Sequence, residues 1–141
     1  MPDIEFSFDP SKFIGQLELI KTNIPKALRA VGVFVLGEAS RVITDGSPDW
    51  AAWKTIPSRP HQMLWETGTL LRSLTVGGPG DIFDESDNQI IVGSNVKYAA
   101  SMQYGNSKHG IPARPFFVFN SSMEQKAGRV FMKYLMTDIG V

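Results

Sequence analysis

Cysteine is absent from the 141 residues, and only two histidines occur. Without a thiol there is no disulfide framework, thiolate metal site or cysteine nucleophile, which fits manufacture in a reducing compartment. Net charge is also missing: 14 basic residues balance 14 acidic ones, so no overall field draws the chain to nucleic acid or to a charged membrane. Long apolar runs are lacking too. The most apolar stretch, "VGVFVLG" at 31–37, is far short of the ~20 residues that cross a bilayer, and "EASR" follows it directly. The opening "MPDIEFSFDP" has neither the basic start nor the apolar segment of a secretory signal, so export by that route is not expected. No membrane partner is expected.

What is present suits a folded domain. Hydrophobic residues make up 43% and charged residues 20% of the chain, too apolar and too little charged for intrinsic disorder, and the length predicts a single domain over 1–141. "IEFSF" alternates Ile4, Phe6 and Phe8 with Glu5 and Ser7, the period of a half-buried strand. Ser11 is placed to cap a helix with apolar positions Phe13, Leu17 and Ile20. The same stepping continues through Ile24, Leu28, Val31, Val35, Ala39 and Val42. Pro25 interrupts it, so the expectation is a kink or a restart capped by Thr22 or Asn23. Around Val33–Leu36 the helix is apolar on nearly all sides, which predicts contacts on more than one side, within the domain or with another subunit.

Residues 45–61 read as a long loop holding an Asp-Gly turn signal, three prolines and two tryptophans. Trp50 and Trp53 are costly to leave wet; they either clamp the loop onto its own core or await a partner. "TGTLLRSLTV" predicts a helical turn and then a strand ending near Val76. "NQIIVG" predicts the returning strand, with a hairpin tip at 77–88 made acidic by Asp81, Asp84, Glu85 and Asp87. "SNVKYAASMQYG" predicts a short helix capped by Ser94 or Asn95 and ended by Gly105. "ARPFFVF" is apolar on both alternating sets, which predicts a strand covered on both faces. Ser121 and Glu124 have capping-box spacing ahead of an apolar stripe of Met123, Ala127, Val130, Phe131 and Tyr134. The fold class expected is α+β: a small antiparallel sheet packed against a long N-terminal helix, kinked or broken near Pro25, and a C-terminal helix.

Catalytic patterns are scarce. His61 and His109 fall in separate loops without metal-ligand spacing, and there is no Gly-x-Ser-x-Gly elbow. The acidic tip lacks the regular ligand positions of a calcium loop, and "GGPG" lacks the Lys and Ser/Thr of a phosphate loop. No cofactor, catalytic or metal site is assigned, and the alternative of another class is a small hydrolase or metal-dependent enzyme using His61 or His109 with an acidic partner. Lys97, Lys108, His109 and Arg114 stand near Tyr98 and Tyr104, a pattern able to stack bases, although the rest of the chain supplies no basic stripe.

The order of short motifs is distinctive. Asp45-Gly46 with nearby tryptophans is followed by Thr67-Gly68 with Leu70, Leu71, Arg72 and Ser73, then by "VGSNVKYAA" at 92–100. Gln103-Tyr104-Gly105 and "IPARPF" at 111–116 come next. Over roughly residues 45–120 this resembles the virion morphogenesis, or tail completion, family of tailed bacteriophages, the group containing Mu protein G, and more remotely head–tail joining and tail-component proteins. The resemblance implies a non-enzymatic α+β virion component at the head–tail junction or tail end, assembled in the host cytoplasm. It implies a homo-oligomeric ring, a hexamer in proteins of this kind, as a neck component or a tail terminator. The partners implied are further copies of itself, neck, connector or tail-tube proteins and, incidentally, genome DNA in the channel. Ring closure needs two different patches per subunit. Trp50, Trp53, Tyr98, Tyr104, His109, Arg114 and Phe116 are the expected interface residues, with the tyrosines beneath the 105–110 loop and Arg114-Pro115 setting the angle of the following phenylalanines.

Overall fold

A computed structural model of the chain describes residues 4–45, 68–117 and 120–139. The 46–61 part of the expected loop, with Trp50, Trp53 and His61, lies outside the described residues, as do Thr67, Val118 and Phe119.

The elements, in order, are α1 (Ser11–Asp45), α2 (Thr69–Ser73), β1 (Asp81–Glu85), β2 (Ile90–Ser94), α3 (Ala99–Tyr104), a 3-10 turn (Ser107–His109) and α4 (Ser121–Leu135). This is the α+β arrangement expected, with a long N-terminal helix, a two-stranded antiparallel sheet and a C-terminal helix.

Helix α1 runs unbroken for 35 residues with Pro25 inside it, so the expected restart at Thr22 or Asn23 does not occur. Thr22 turns its hydroxyl back onto the Glu18 carbonyl at 3.0 Å. Asn23 serves another helix: its side-chain nitrogen donates to the carbonyls of Leu135 and Thr137, at 3.0 and 2.9 Å, where α4 ends and its last carbonyls lack partners within the helix. Gln16 reaches the Ile139 carbonyl at 3.3 Å. Chain positions ascending in α1 therefore meet positions descending in α4, and the two helices pack antiparallel. Packing along this seam holds α1 helical through the lost hydrogen bond at Pro25.

The N-terminal strand expected at residues 4–8 is not formed. These residues belong to no sheet, and Ile4, Phe6 and Phe8 are 100%, 89% and 66% exposed. Their alternation is real, but no described strand pairs with it. Asp9, not Ser11, supplies the side-chain acceptor at the start of the helix: its carboxylate accepts the Ser11 hydroxyl at 2.6 Å and the Ser11 N–H at 3.0 Å.

The apolar stretch at 31–37 is covered on part of its circumference within the chain. Gly32 faces the hairpin so closely that a Cβ there would sit 2.9 Å from Ile90 Cγ1 and 3.0 Å from Phe83 Cε2. Val33 is about half exposed. Further along, Leu36, Ala39, Val42 and Ile43 form the core with Leu70, Leu74, Ala99 and Phe116.

The hairpin pairs Asp81 with Ser94 through Glu85 with Ile90. Its connection is therefore 86–89, not 77–88, and Asp81, Asp84 and Glu85 are strand residues. The strand expected to end near Val76 is not formed; "GGPG" turns the chain into β1, with the Gly77 N–H donating to Asp81 Oδ2 at 2.8 Å. Glu85 reaches Arg29 of α1 at 2.8 Å, and the Arg29 guanidinium lies 5.3 Å from the centre of the Phe83 ring. Helix α4 is capped by Asn120, one residue before the Ser121 expected, through acceptance of the Met123 N–H at 2.8 Å. The apolar stripe expected on α4 is the side turned inward: Met123 is buried and Ala127, Val130, Phe131 and Tyr134 are partly so.

Candidate functional site

Residues 98–117 form a closed structural unit. Helix α3 begins after Tyr98, later than a Ser94 or Asn95 cap predicts. Ser94 does act locally: its hydroxyl accepts the Val96 N–H at 3.2 Å and pairs with the fully buried Ser73 hydroxyl at 2.7 Å. Gly105 ends α3 as expected, at φ 77, and the approach of the returning chain requires glycine there. A Cβ would lie 2.9 Å from the Ala113 nitrogen and 3.0 Å from the Ile111 carbonyl. The loop then closes on itself through Asn106 and Ile111, which exchange backbone hydrogen bonds of 2.8 and 2.9 Å around the Ser107–His109 turn.

The strand expected over 113–119 is absent from its described part, 113–117. One side chain meets the backbone groups of Phe116 and Phe117. Gln103 Oε1 accepts the N–H groups of both Phe116 and Phe117 at 3.0 Å, and Gln103 Nε2 donates to the Phe117 carbonyl at 2.9 Å. The Arg114 N–H donates to the Met102 carbonyl at 2.6 Å. The segment needs no neighbouring strand because α3 satisfies it.

The expected interface residues divide by burial. Phe116 is 2% exposed and belongs to the core, with its ring centre 5.1 Å from that of Phe117; Arg114 is 6% exposed. Both are built into the subunit itself. Tyr104 projects from it at 75% exposure rather than lying beneath the loop, and Tyr98 and His109 are also exposed. Lys97 and Lys108 are exposed near these aromatics, while Arg114 is withdrawn from that surface. Trp50 and Trp53 lie outside the described residues. Among the described residues, no three His, Asp or Glu side chains gather as a metal site, and no helix is long and apolar enough to cross a membrane.

Two further features lie apart from the expected interface residues. The first is the uncovered apolar arm of residues 4–8, continued on the first turns of α1 by Phe13, Ile14 and Leu17, each at least two-fifths exposed. At its base, the hydrogen bonds from the Ser11 hydroxyl and then the Ser11 N–H hold the Asp9 carboxyl below its ordinary pKa. The second is a groove of about 480 Å³ between α1 and α4, with Ala30, Val33, Phe34, Val130 and Tyr134 along it and Lys26, Arg29 and Lys133 at its edges. The periodicity of "IEFSF" signals the arm; the groove joins residues about a hundred positions apart and has no local signal.

No family model matches the chain, and no solved structure does. A curated relative is the Mu-like prophage FluMu G protein 2 of Haemophilus influenzae, 35% identical over 78 residues, which cover 52% of this chain and 51% of that protein. The chain thus spans about half the length of the curated relative it matches. Over that half, it is similar to a G protein of a Mu-like prophage.

Proposed function

We propose that the protein is a structural assembly component of a tailed bacteriophage, completing the tail or joining it to the head as a member of a ring. The similarity to a Mu-like prophage G protein carries this reading. The surface chemistry supports it: Tyr104 and the apolar side chains of residues 4–17 are held out from the subunit, as a chain that associates requires. A ring closes when one patch on each subunit meets a different patch on the next. A tail terminator ring is the nearest variant of this role. The genome passes such a ring, but a chain without net charge has little hold on phosphate, so DNA contact is incidental.

Electron microscopy of the purified protein, alone and with neighbouring virion components, tests the reading. Closed rings, or a defined complex with those components, are expected. A strict monomer that binds none of them refutes it. Tyr104→Ala is the suitable interface probe on the 98–117 face, because it alters an exposed ring and leaves the core alone. It should weaken assembly while leaving the unfolding free energy within about 0.5 kcal/mol of wild type.

A further inference from the structure

We infer that residues 4–9 of one copy lie in the groove between α1 and α4 of the next copy, making the contact head-to-tail. The inference rests on the self-association proposed above and names the two surfaces that make it.

Length, chemistry and reach each point the same way. The groove spans Lys26 to Phe34 along α1, about 12 Å at the helical rise. An extended arm places Ile4, Phe6 and Phe8 on one edge over about 13 Å. That apolar edge suits the floor of Val33, Phe34, Val130 and Tyr134. The opposite edge of the arm carries Glu5, with the Asp9 carboxylate engaged by Ser11 at its base, and the groove is bordered by Lys26 and Lys133; Arg29, also at the border, is engaged with Glu85. Phe6 and Phe8 together offer roughly 300–500 Å² for burial, a large part of the ~800 Å² that each partner commits to a standard interface.

The arm cannot fill its own groove. Lys26 is about 22 Å up α1 from Ser11 and Ala30 about 28 Å. Phe8 lies three residues before Ser11 and reaches at most about 11 Å from it, and even Ile4 reaches only about 25 Å. The arm therefore serves a different molecule. A donated arm and a receiving groove are two unlike patches on one chain, the requirement for a closed ring.

Light scattering on the full chain during gel filtration tests this with two variants. Phe6→Asp with Phe8→Asp spoils the arm, and Lys26→Glu with Lys133→Glu spoils the exposed groove border without touching the core. Wild type should form an oligomer. The arm variant should associate roughly 100-fold more weakly, as loss of two buried aromatic anchors implies, and run as the 15.6 kDa chain. The border variant should also weaken, and adding Glu5→Lys to it should restore association. Val33→Asp, if it keeps the wild-type helical content, should yield a monomer that pairs with the arm variant into a dimer of twice the chain mass. A wild-type oligomer unchanged in the arm and border variants overturns the arm contact while leaving the ring reading standing. A wild type that stays monomeric at the highest concentration overturns both.

Discussion

Gln103 and Phe117 are joined like paired strands: the glutamine amide oxygen accepts the phenylalanine N–H at 3.0 Å and the amide nitrogen donates to its carbonyl at 2.9 Å. A side chain from α3 thus stands in for a neighbouring strand. This explains why "ARPFF", with strand-like composition, crosses the core edge as irregular chain. It also holds Phe116 in the core beside the exposed Tyr104 face.

Gln103→Ala should therefore destabilise the subunit by about 1–3 kcal/mol, because it leaves backbone groups of Phe116 and Phe117 partly buried without partners. Chemical denaturation measures it. A change below about 0.5 kcal/mol would mean that water replaces the clamp.

Gly32→Ala should destabilise by about 1–3 kcal/mol, since the added methyl meets Ile90, Phe83 and Val92 at 2.9–3.1 Å. Gly37→Ala, in the same helix with nothing within 4 Å, should instead stabilise by about 0.5–1 kcal/mol. Opposite signs in thermal melts separate close packing against the hairpin from helix propensity.

Pro25→Ala should raise stability by about 1–3 kcal/mol, because alanine restores the missing donor in a helix that continues through this exposed position. A lower melting temperature would show that the proline ring sets the path of α1 along α4.

The Asp9 bond to Ser11 predicts how acid acts on the start of α1. The folded-state pKa is lowered, so the carboxylate's support for the first turn is present above the ordinary aspartate value and lost as pH falls through the lowered one. The Ser11 amide resonance should follow a midpoint below that of an ordinary aspartate, and Asp9→Asn should abolish the transition. A midpoint at or above the ordinary value contradicts the cap.

Much of the fold is legible locally. The period of α1, the stripe on α4, the Gly105 stop and the strand at 90–94 each follow from neighbouring residues, because helix and strand repeats act over a few positions. The misread places share one cause. Pro25 looks like a break, but α4 packs across it. "IEFSF" has the alternation of a strand, yet sheet pairing requires a second strand and none of the described ones lies beside it. "ARPFFVF" resembles a strand because its alternation cannot reveal that Gln103 meets the backbone of Phe116 and Phe117.

Which of the expected interface residues are exposed was not legible. Tyr98, Tyr104 and His109 are exposed as an interface requires, whereas Arg114 and Phe116 lie inside the subunit. Aromatic and arginine side chains serve cores and interfaces alike, so composition does not sort them.

By itself the amino-acid order determined where helices and the hairpin's second strand form, which faces are apolar, and that thiol chemistry is excluded. Tertiary structure decided which apolar residues are covered, which helix receives Asn23, and that α1 and α4 leave a groove bordered by Lys26 and Lys133. The physical reason is range: backbone preference is set within a turn or two, while burial and charge placement depend on residues brought together from distant parts of the chain.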